Sequence, residues 1–257
     1  MEYQTVKGEK VPSLGLGTYR LTGEACARAV EQALSMGYRH IDTAQMYGNE
    51  AEVGRGIEAS GVDRDEVFIT TKVWPSDFEH DRVIQTTRKS LRKLGTDHVD
   101  LLLMHWPPNG GTPLGETLGA MRKLQEEGGV RHIGVSNFSP SLVEEAAEHA
   151  EVFCNQVEYH PYRDQGRILD QAQNMDYLVT AYRPLSRGGA GDDATLGEIG
   201  EAHGKTAAQV ALRWLIQQEK VSAIPKASSE DHLQANLDVF DFELSGEEMD
   251  CIFSLGR

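Results

Sequence analysis

The chain alternates short apolar segments with longer amphipathic ones eight times, and this alternation restricts its fold more than any other feature. The apolar segments are rich in Val, Ile, Leu and aromatics and are too short for surface helices, so they are predicted strands. Eight strand–helix units in 257 residues, without a break in composition, predict one (β/α)8 barrel domain over residues 1–257. The predicted strands are Ser13–Leu16, His40–Thr43, Val67–Val73, Val99–His105, Arg131–Val135, Cys154–Glu158, Tyr177–Ala181 and Ser222–Ile224.

The segments between the strands carry apolar stripes at helical spacing. Ser139 before Pro140 has the pattern of a helix start, and Ser245 with Glu248 has the spacing of a capping box. The opening stretch around Lys7-Gly8-Glu9 predicts a short hairpin at the bottom of the barrel, and the glycine-rich segment 183–193 predicts a flexible loop. Helices are predicted over Glu24–Met36, Arg82–Leu94, Ser139–His149 and Ala207–Gln218.

The net charge of −15, from 40 acidic against 25 basic residues, disfavours nucleic acid and anionic lipid as partners. Its low lysine content favours adaptation to high salt over the alternative of an ordinary acidic surface. Cys26, Cys154 and Cys251 form no CxxC pair, so no metal site is expected on them. With a polar N-terminus and no membrane-length apolar run, we expect a cytoplasmic monomer.

Four polar residues lie at the carboxyl ends of three consecutive predicted strands, where barrel enzymes place their chemistry. Asp42 ends the second strand and Tyr47 follows it, Lys72 lies near the end of the third, and His105 ends the fourth. Each residue alone is compatible with capping or packing. Because a lysine inside an apolar strand needs a partner, Asp42 on the neighbouring strand is the expected one.

These four side chains fit the reduction of a carbonyl group. Lys72 would lower the pKa of Tyr47, Asp42 would keep Lys72 charged, and His105 would orient the substrate oxygen. Tyr47 would then donate a proton to that oxygen. None of these groups can supply a hydride, so a reduced nicotinamide cofactor is implied.

The sequence has no Rossmann fingerprint for a dinucleotide. The segment from Gly15 to Arg20 lacks the third glycine and does not lie in the strand–turn–helix context that the fingerprint requires. Barrels hold phosphate with late loops and the N-terminus of an extra helix. The segment from Ile224 to Glu230 follows the eighth predicted strand, and its Lys226 and serine hydroxyls suit a phosphate. A lysine on a solvated loop is the alternative interpretation.

The sequence resembles the aldo-keto reductases over essentially its whole length, in the branch related to diketogluconate reductases. The resemblance implies that Asp42, Tyr47, Lys72 and His105 form a catalytic tetrad. The motifs that carry it are Gly37-Tyr38-Arg39-His40-Ile41-Asp42-Thr43-Ala44, Tyr47-Gly48-Asn49-Glu50, Leu103-Met104-His105-Trp106-Pro107, Ile133-Gly134-Val135-Ser136-Asn137-Phe138, Asn155-Gln156-Val157-Glu158-Tyr159-His160-Pro161 and Leu237-Asp238-Val239-Phe240-Asp241-Phe242.

The resemblance also implies a cofactor site and a substrate mouth. NADPH is the expected cofactor because Lys226 is retained. NADH is the alternative, because His232 and Ala235 replace the Arg and Glu of many relatives and weaken the preference for NADPH. Arg183 stands where many relatives have a Ser. The implied cofactor residues are Gly17, Thr18, Tyr19, Ser136, Asn137, Gln156, Tyr182, Arg183, Leu185, Lys226, Ser228, His232 and Asn236. The implied substrate residues are Tyr19, Trp74, His105, Trp106 and Phe138.

Two other functions remain open at this point. A redox sensor or structural protein could bind the cofactor on the same barrel without turnover, although an intact tetrad disfavours this. A metal-dependent hydrolase could use His40, His105 and His160 near strand ends, but no paired-histidine ligand motif accompanies them. The expected partner is a small-molecule aldehyde or ketone, with keto-sugars among the candidates.

Overall fold

A computed structural model describes residues 1–256 and has the predicted (β/α)8 architecture. Eight parallel strands lie in chain order around the barrel, and a bridge between Leu14 and Ala223 joins the last strand to the first. Two antiparallel strands, β1 (Tyr3–Val6) and β2 (Glu9–Pro12), form the predicted hairpin. The barrel strands are β3 (Leu16–Gly17), β4 (His40–Asp42), β5 (Phe68–Val73), β6 (Val99–Met104), β7 (Val130–Ser136), β8 (Cys154–Glu158), β9 (Leu178–Tyr182) and β10 (Val221–Ala223).

Within residues 1–256, ten α-helices surround the strands. Ser139 accepts a hydrogen bond from the Leu142 amide, and the predicted capping box of Ser245 and Glu248 is formed. The helices are α1 (Gly23–Ser35), α2 (Glu50–Ser60), α3 (His80–Leu94), α4 (Leu114–Glu126), α5 (Pro140–Ala147), α6 (Gly166–Met175), α7 (Ala194–His203), α8 (Ala207–Ile216), α9 (Glu230–Leu237) and α10 (Gly246–Ser254).

The structure corrects two local predictions. The first barrel strand is Leu16–Gly17 rather than Ser13–Leu16, because Leu14 instead bridges to Ala223 at the seam between the first and last strands. The segment predicted as a flexible loop forms 3-10 turns over Ser186–Asp192. The chain reverses there because Arg187 and neighbouring residues adopt positive φ, and Asp193 then caps α7.

The hairpin closes the bottom of the barrel, as predicted. Val6 and Val11 are fully buried against Leu101, Leu103 and Phe153 of the barrel interior. Closing this end with apolar side chains leaves the opposite end, where the parallel strands finish, as the place for a polar site.

His40 of β4 lies inside the barrel and is 1% exposed. A Cβ at Gly15 would lie 2.8 Å from its ring, and its Nε2 lies 3.1 Å from Thr70 Oγ1. Burial lowers the pKa of His40 from its usual 6.5 to about 4, because the neutral ring avoids the cost of a buried charge.

Unfolding exposes His40 and restores its usual pKa. Below pH 6.5 the unfolded chain therefore takes up a proton at His40, whereas the folded chain stays unprotonated there until the pH approaches 4. We expect this group to contribute its full stability above pH 6.5 and to lose it as the pH falls towards 4, at up to about 1.4 kcal/mol per pH unit. Urea denaturation of wild type and His40→Gln at several pH values tests this. The variant should show a shallower slope, and the half-exposed His80→Gln should not.

Within residues 1–256, the structure contains no helix long and apolar enough to cross a membrane. Across the same residues, no three His, Cys, Asp or Glu side chains lie where they could share a metal ion.

Candidate active site

The four strand-end residues of the predicted tetrad converge at the upper end of the barrel. Asp42 is the last residue of β4, Lys72 belongs to the adjacent β5, and His105 follows β6. Tyr47 ends the 3-10 turn Gln45–Tyr47 after β4. Parallel pairing of these three strands places their carboxyl ends side by side, so residues distant in sequence meet here.

Lys72 has no exposed surface, and its ammonium group has three acceptors. Its Nζ donates to Asp42 Oδ1 at 2.6 Å, to the Thr43 carbonyl at 2.7 Å and to Tyr47 Oη at 3.4 Å. Burial alone would lower the pKa of Lys72, but Asp42 and Tyr47 raise it above its usual value. The lysine therefore remains a cation at the phenol oxygen.

Tyr47 keeps its proton in this environment. Burial raises the pKa of Tyr47, and the Lys72 cation opposes that effect without reversing it. Lys72 thus acts on the pKa of Tyr47 in the expected direction, but burial has the larger effect, and sequence spacing revealed the neighbouring cation but not the burial. Since Lys72 donates to the phenol oxygen, the phenolic hydrogen is free to point towards another acceptor.

His105 is neutral and lies beside the phenol. Burial and the Lys72 charge lower the pKa of His105 from its usual 6.5 to about 3, so the ring keeps one N–H donor at neutral pH. Its ring centre lies 5.7 Å from that of Tyr47 and 5.1 Å from that of Trp74. The phenol and the imidazole are therefore two neighbouring hydrogen-bond donors, with ring centres 5.7 Å apart.

Asn49 supports this site and was not identified as a candidate from the sequence. It is 1% exposed, accepts from Thr43 Oγ1 at 2.8 Å, and donates to the carbonyls of Thr18 and Leu21 at 2.9 Å. It therefore links the loop after β3 to the Tyr47 turn. Its place two residues after Tyr47 in the Tyr-Gly-Asn-Glu motif was the available signal.

A connected polar network lies next to the tetrad at the ends of β7, β8 and β9. Ser136 Oγ donates to the Gln156 carbonyl at 2.8 Å, and Asn137 Nδ2 donates to Ser136 Oγ at 3.0 Å. Tyr182 Oη donates to Asn137 Oδ1 at 2.7 Å. Three of the predicted cofactor residues thus lie in one network with a fourth, Tyr182, whose aromatic ring is half-buried.

Two predicted cofactor residues, the last residue of β3 and the one after it, already make contacts within the protein. A Cβ at Gly17 would lie 2.6 Å from the Ile224 carbonyl oxygen, so the absence of a side chain allows the barrel to close. Thr18 is fully buried and its Oγ1 donates to the Asp42 carbonyl at 2.9 Å. The Thr18 hydroxyl is therefore already engaged beneath the site.

The remaining predicted cofactor residues lie on the rim formed by β9, β10 and α9. Arg183 has φ of 50°, lies 5.7 Å from the Tyr182 ring centre and pairs with Glu158 at 3.3 Å. Among the others, Leu185 is partly buried against the core and Asn236 is buried. Lys226, Ser228 and His232 are exposed around the start of α9.

The rim also carries charges that oppose a phosphate. Glu230 and Asp231 occupy the first turn of α9, next to Lys226. Acidic side chains there stabilise the helix dipole but repel an anionic ligand.

The predicted substrate residues divide into two groups. Tyr19 and Trp106 are 41% and 43% exposed at the mouth, Trp74 is half-buried, and Tyr19 lies 5.0 Å from Tyr47 between ring centres. Phe138, by contrast, is 1% exposed and packs in the hydrophobic core. The Asn155 side chain holds the Phe138 backbone, accepting from its N–H and donating to its carbonyl.

A parallel barrel with a buried carboxylate–lysine–tyrosine chain at its strand ends defines a class of oxidoreductase that acts on carbonyl groups. The sequence profile of the Aldo/keto reductase family matches residues 13–257, and the chain belongs to this family. It is an NAD(P)H-dependent reductase of aldehydes or ketones, with the barrel fold that the resemblance predicted.

Several known proteins are similar over nearly the whole chain. Glyoxal reductase of Bacillus subtilis is 42% identical over 253 residues, covering 97% of this chain and 91% of that protein. Methylglyoxal reductase DkgB of Escherichia coli is 40% identical, covering 95% and 93% of the two chains. A crystal structure described as a 2,5-diketo-D-gluconic acid reductase B has 48% identity and a TM-score of 0.97, covering 100% of this chain and 92% of that one.

Proposed function

We propose that this enzyme reduces small aldehydes, with 2-oxoaldehydes such as methylglyoxal as preferred substrates, using NADPH and Tyr47 as the proton donor. The observation that carries the proposal is the buried chain from Asp42 through Lys72 to Tyr47 beneath an aromatic mouth. The names of two relatives, reductases of glyoxal and methylglyoxal, support the substrate class.

In this proposal the protein's own residues manage the proton. A nicotinamide held by Ser136, Asn137, Gln156 and Tyr182 would supply the hydride chemistry. Tyr47 donates its phenolic proton to the carbonyl oxygen as negative charge develops there, and the neutral ring of His105 donates a hydrogen bond to the same atom. Lys72 then stabilises the phenolate through its 3.4 Å contact, while Asp42 and the Thr43 carbonyl hold the ammonium group in place.

The network at the ends of β7 to β9 fits a nicotinamide. A carboxamide needs both donors and acceptors, which Ser136, Asn137 and Gln156 provide, and the half-buried ring of Tyr182 offers a face for stacking. Arg183 and Lys226 are the cations that would hold the diphosphate and the adenosine phosphate. The fit supports assigning these residues to cofactor binding.

We also propose that the protein is a monomer, that it consists of a single domain and that it is located in the cytoplasm. Among the described residues, the large exposed hydrophobic side chains are confined to the first three residues and to the mouth of the site: Met1, Tyr3, Tyr19, Met46 and Trp106. A stable dimer needs an extended apolar patch elsewhere on the surface.

Loss of NADPH absorbance with a panel of carbonyl compounds tests the proposed function. We expect turnover with methylglyoxal, glyoxal and small aromatic aldehydes, and lower kcat/KM with keto-sugars. Tight NADPH binding without turnover of any member of the panel would instead indicate a cofactor-binding sensor.

Replacing Lys226 tests the cofactor preference. Lys226→Ala should lower kcat/KM for NADPH by about tenfold to a hundredfold, because a charge-assisted contact contributes roughly 1.5–3 kcal/mol. The value for NADH should not change. The matched control is Lys89→Ala on the exposed surface of α3, which should leave both values unchanged. Equal losses for both cofactors would contradict a role in phosphate selectivity.

A further inference from the structure

Both carboxylate oxygens of Asp42 are occupied, and only one of them by the lysine. Oδ1 accepts from Lys72 Nζ at 2.6 Å, and Oδ2 accepts from Gln156 Nε2 at 2.8 Å. Asp42, Lys72 and Gln156 are each at most 2% exposed, so water does not compete for these bonds. A hydrogen bond to a buried carboxylate favours its charged form and fixes its orientation.

The other end of the Gln156 amide is free. Among the residues that the structure describes, none forms a hydrogen bond with its Oε1, while the Gln156 main-chain carbonyl accepts from Ser136 Oγ. The side chain thus has one end on Asp42 and the other available to the amino group of a bound carboxamide. Gln156 therefore bonds the side chain of a tetrad residue, whereas Asn137 of the same network donates to the main-chain carbonyl of His105 at 3.3 Å.

We propose that Gln156 is a positioning residue for proton donation: its bond to Asp42 couples the nicotinamide position to the Asp42–Lys72–Tyr47 chain. The inference rests on the proposed function of this site. Removing the donor leaves the Asp42 charge less compensated. Since that charge disfavours the Tyr47 phenolate, the phenol should become harder to ionise and slower to transfer its proton.

Other groups near this chain also affect its titration and must be held constant. Tyr19 and His105 flank Tyr47, and Tyr182 lies within range of its charge. His40 and Cys154 lie beneath Asp42 and Lys72. All five remain unchanged in the variants that follow, so a shift in the Tyr47 titration reports the Gln156–Asp42 bond.

The test uses Gln156→Met, which keeps the volume but removes the donor, and Gln156→Glu, which adds a second negative charge beside Asp42 once it ionises at the alkaline pH of the titration. Ultraviolet difference spectra of the cofactor-free protein, with the same variant carrying Tyr47→Phe as the blank, report phenolate formation. We expect the Tyr47 titration to rise by about half a pH unit in Gln156→Met and by more in Gln156→Glu. The alkaline limb of the kcat/KM profile should move in the same order.

Ser136→Ala is the matched control, because Ser136 belongs to the same cofactor network but does not touch Asp42. It should weaken NADPH binding without moving the Tyr47 titration. If Gln156→Met and Gln156→Glu likewise raise the Kd for NADPH and leave the titration in place, the proposal is overturned. The spectroscopic result stands even if the wild type reduces no carbonyl compound, so failure of the proposed function is recognised separately. Gln156→Glu retains the shape of the side chain should Gln156→Met fail to fold.

Discussion

Tyr47→Phe should lower kcat for carbonyl reduction by about 10²- to 10⁴-fold, the range that a positioned general acid contributes. The substitution removes one oxygen atom and retains the ring that packs 5.0 Å from Tyr19. Lys72 keeps two of its three acceptors, Asp42 and the Thr43 carbonyl, so the buried charge remains compensated. The loss should therefore appear in kcat, measured by NADPH consumption at saturating aldehyde.

The control is Tyr3→Phe, which removes the same atom from an exposed residue of the hairpin at the opposite end of the barrel. It should retain wild-type kcat. The Kd of Tyr47→Phe for NADPH, measured by fluorescence quenching, should stay near that of the wild type. Retention of more than a tenth of wild-type kcat by Tyr47→Phe would rule out this tyrosine as the proton donor.

Lys72→Met should have the second large effect, on stability and activity together. Removing one partner of a buried ion pair leaves the other charge uncompensated, which costs roughly 3–5 kcal/mol. Here Asp42 would keep only the Gln156 donor. We expect the free energy of unfolding in urea to fall by about that amount, and kcat to fall because nothing stabilises the Tyr47 phenolate.

The double variant Asp42→Asn/Lys72→Met separates the two effects. With no buried charge left, most of the lost stability should return, because neutral replacements for a buried pair are often well tolerated. Activity should not return. Recovery of kcat in the double variant would mean that Lys72 acts only by compensating Asp42, and not on Tyr47.

The fold was largely predictable because each barrel strand is a short apolar run bounded by helical segments. The role of Lys72 was also predictable, because a lysine within an apolar strand needs a nearby anion. The order of the strands placed Asp42 beside it. Barrel topology then brought His105 to the same end. Local sequence was sufficient wherever adjacent strands supplied the groups.

Other features depended on contacts that no local spacing reveals. Gln156 and Asp42 are 114 residues apart and lie on strands that are not neighbours in the barrel. Their side chains meet because the closed barrel brings non-adjacent strands together across its interior. The direction of the Tyr47 pKa depends on how much of the ring is buried. The burial of Phe138 was likewise not predictable, because its backbone is bonded to Asn155 on the next strand rather than to its own neighbours.

The seam between the first and last strands has a consequence for synthesis of the chain. Leu14 bridges to Ala223, and Gln4 Nε2 donates to the Ile216 carbonyl across 212 residues of sequence. Such distant contacts are slow to form, and the Leu14–Ala223 bridge cannot form before the last strand has left the ribosome. Until then the edge of the first strand stays unpaired, so the nascent chain exposes a surface that favours aggregation throughout most of its translation.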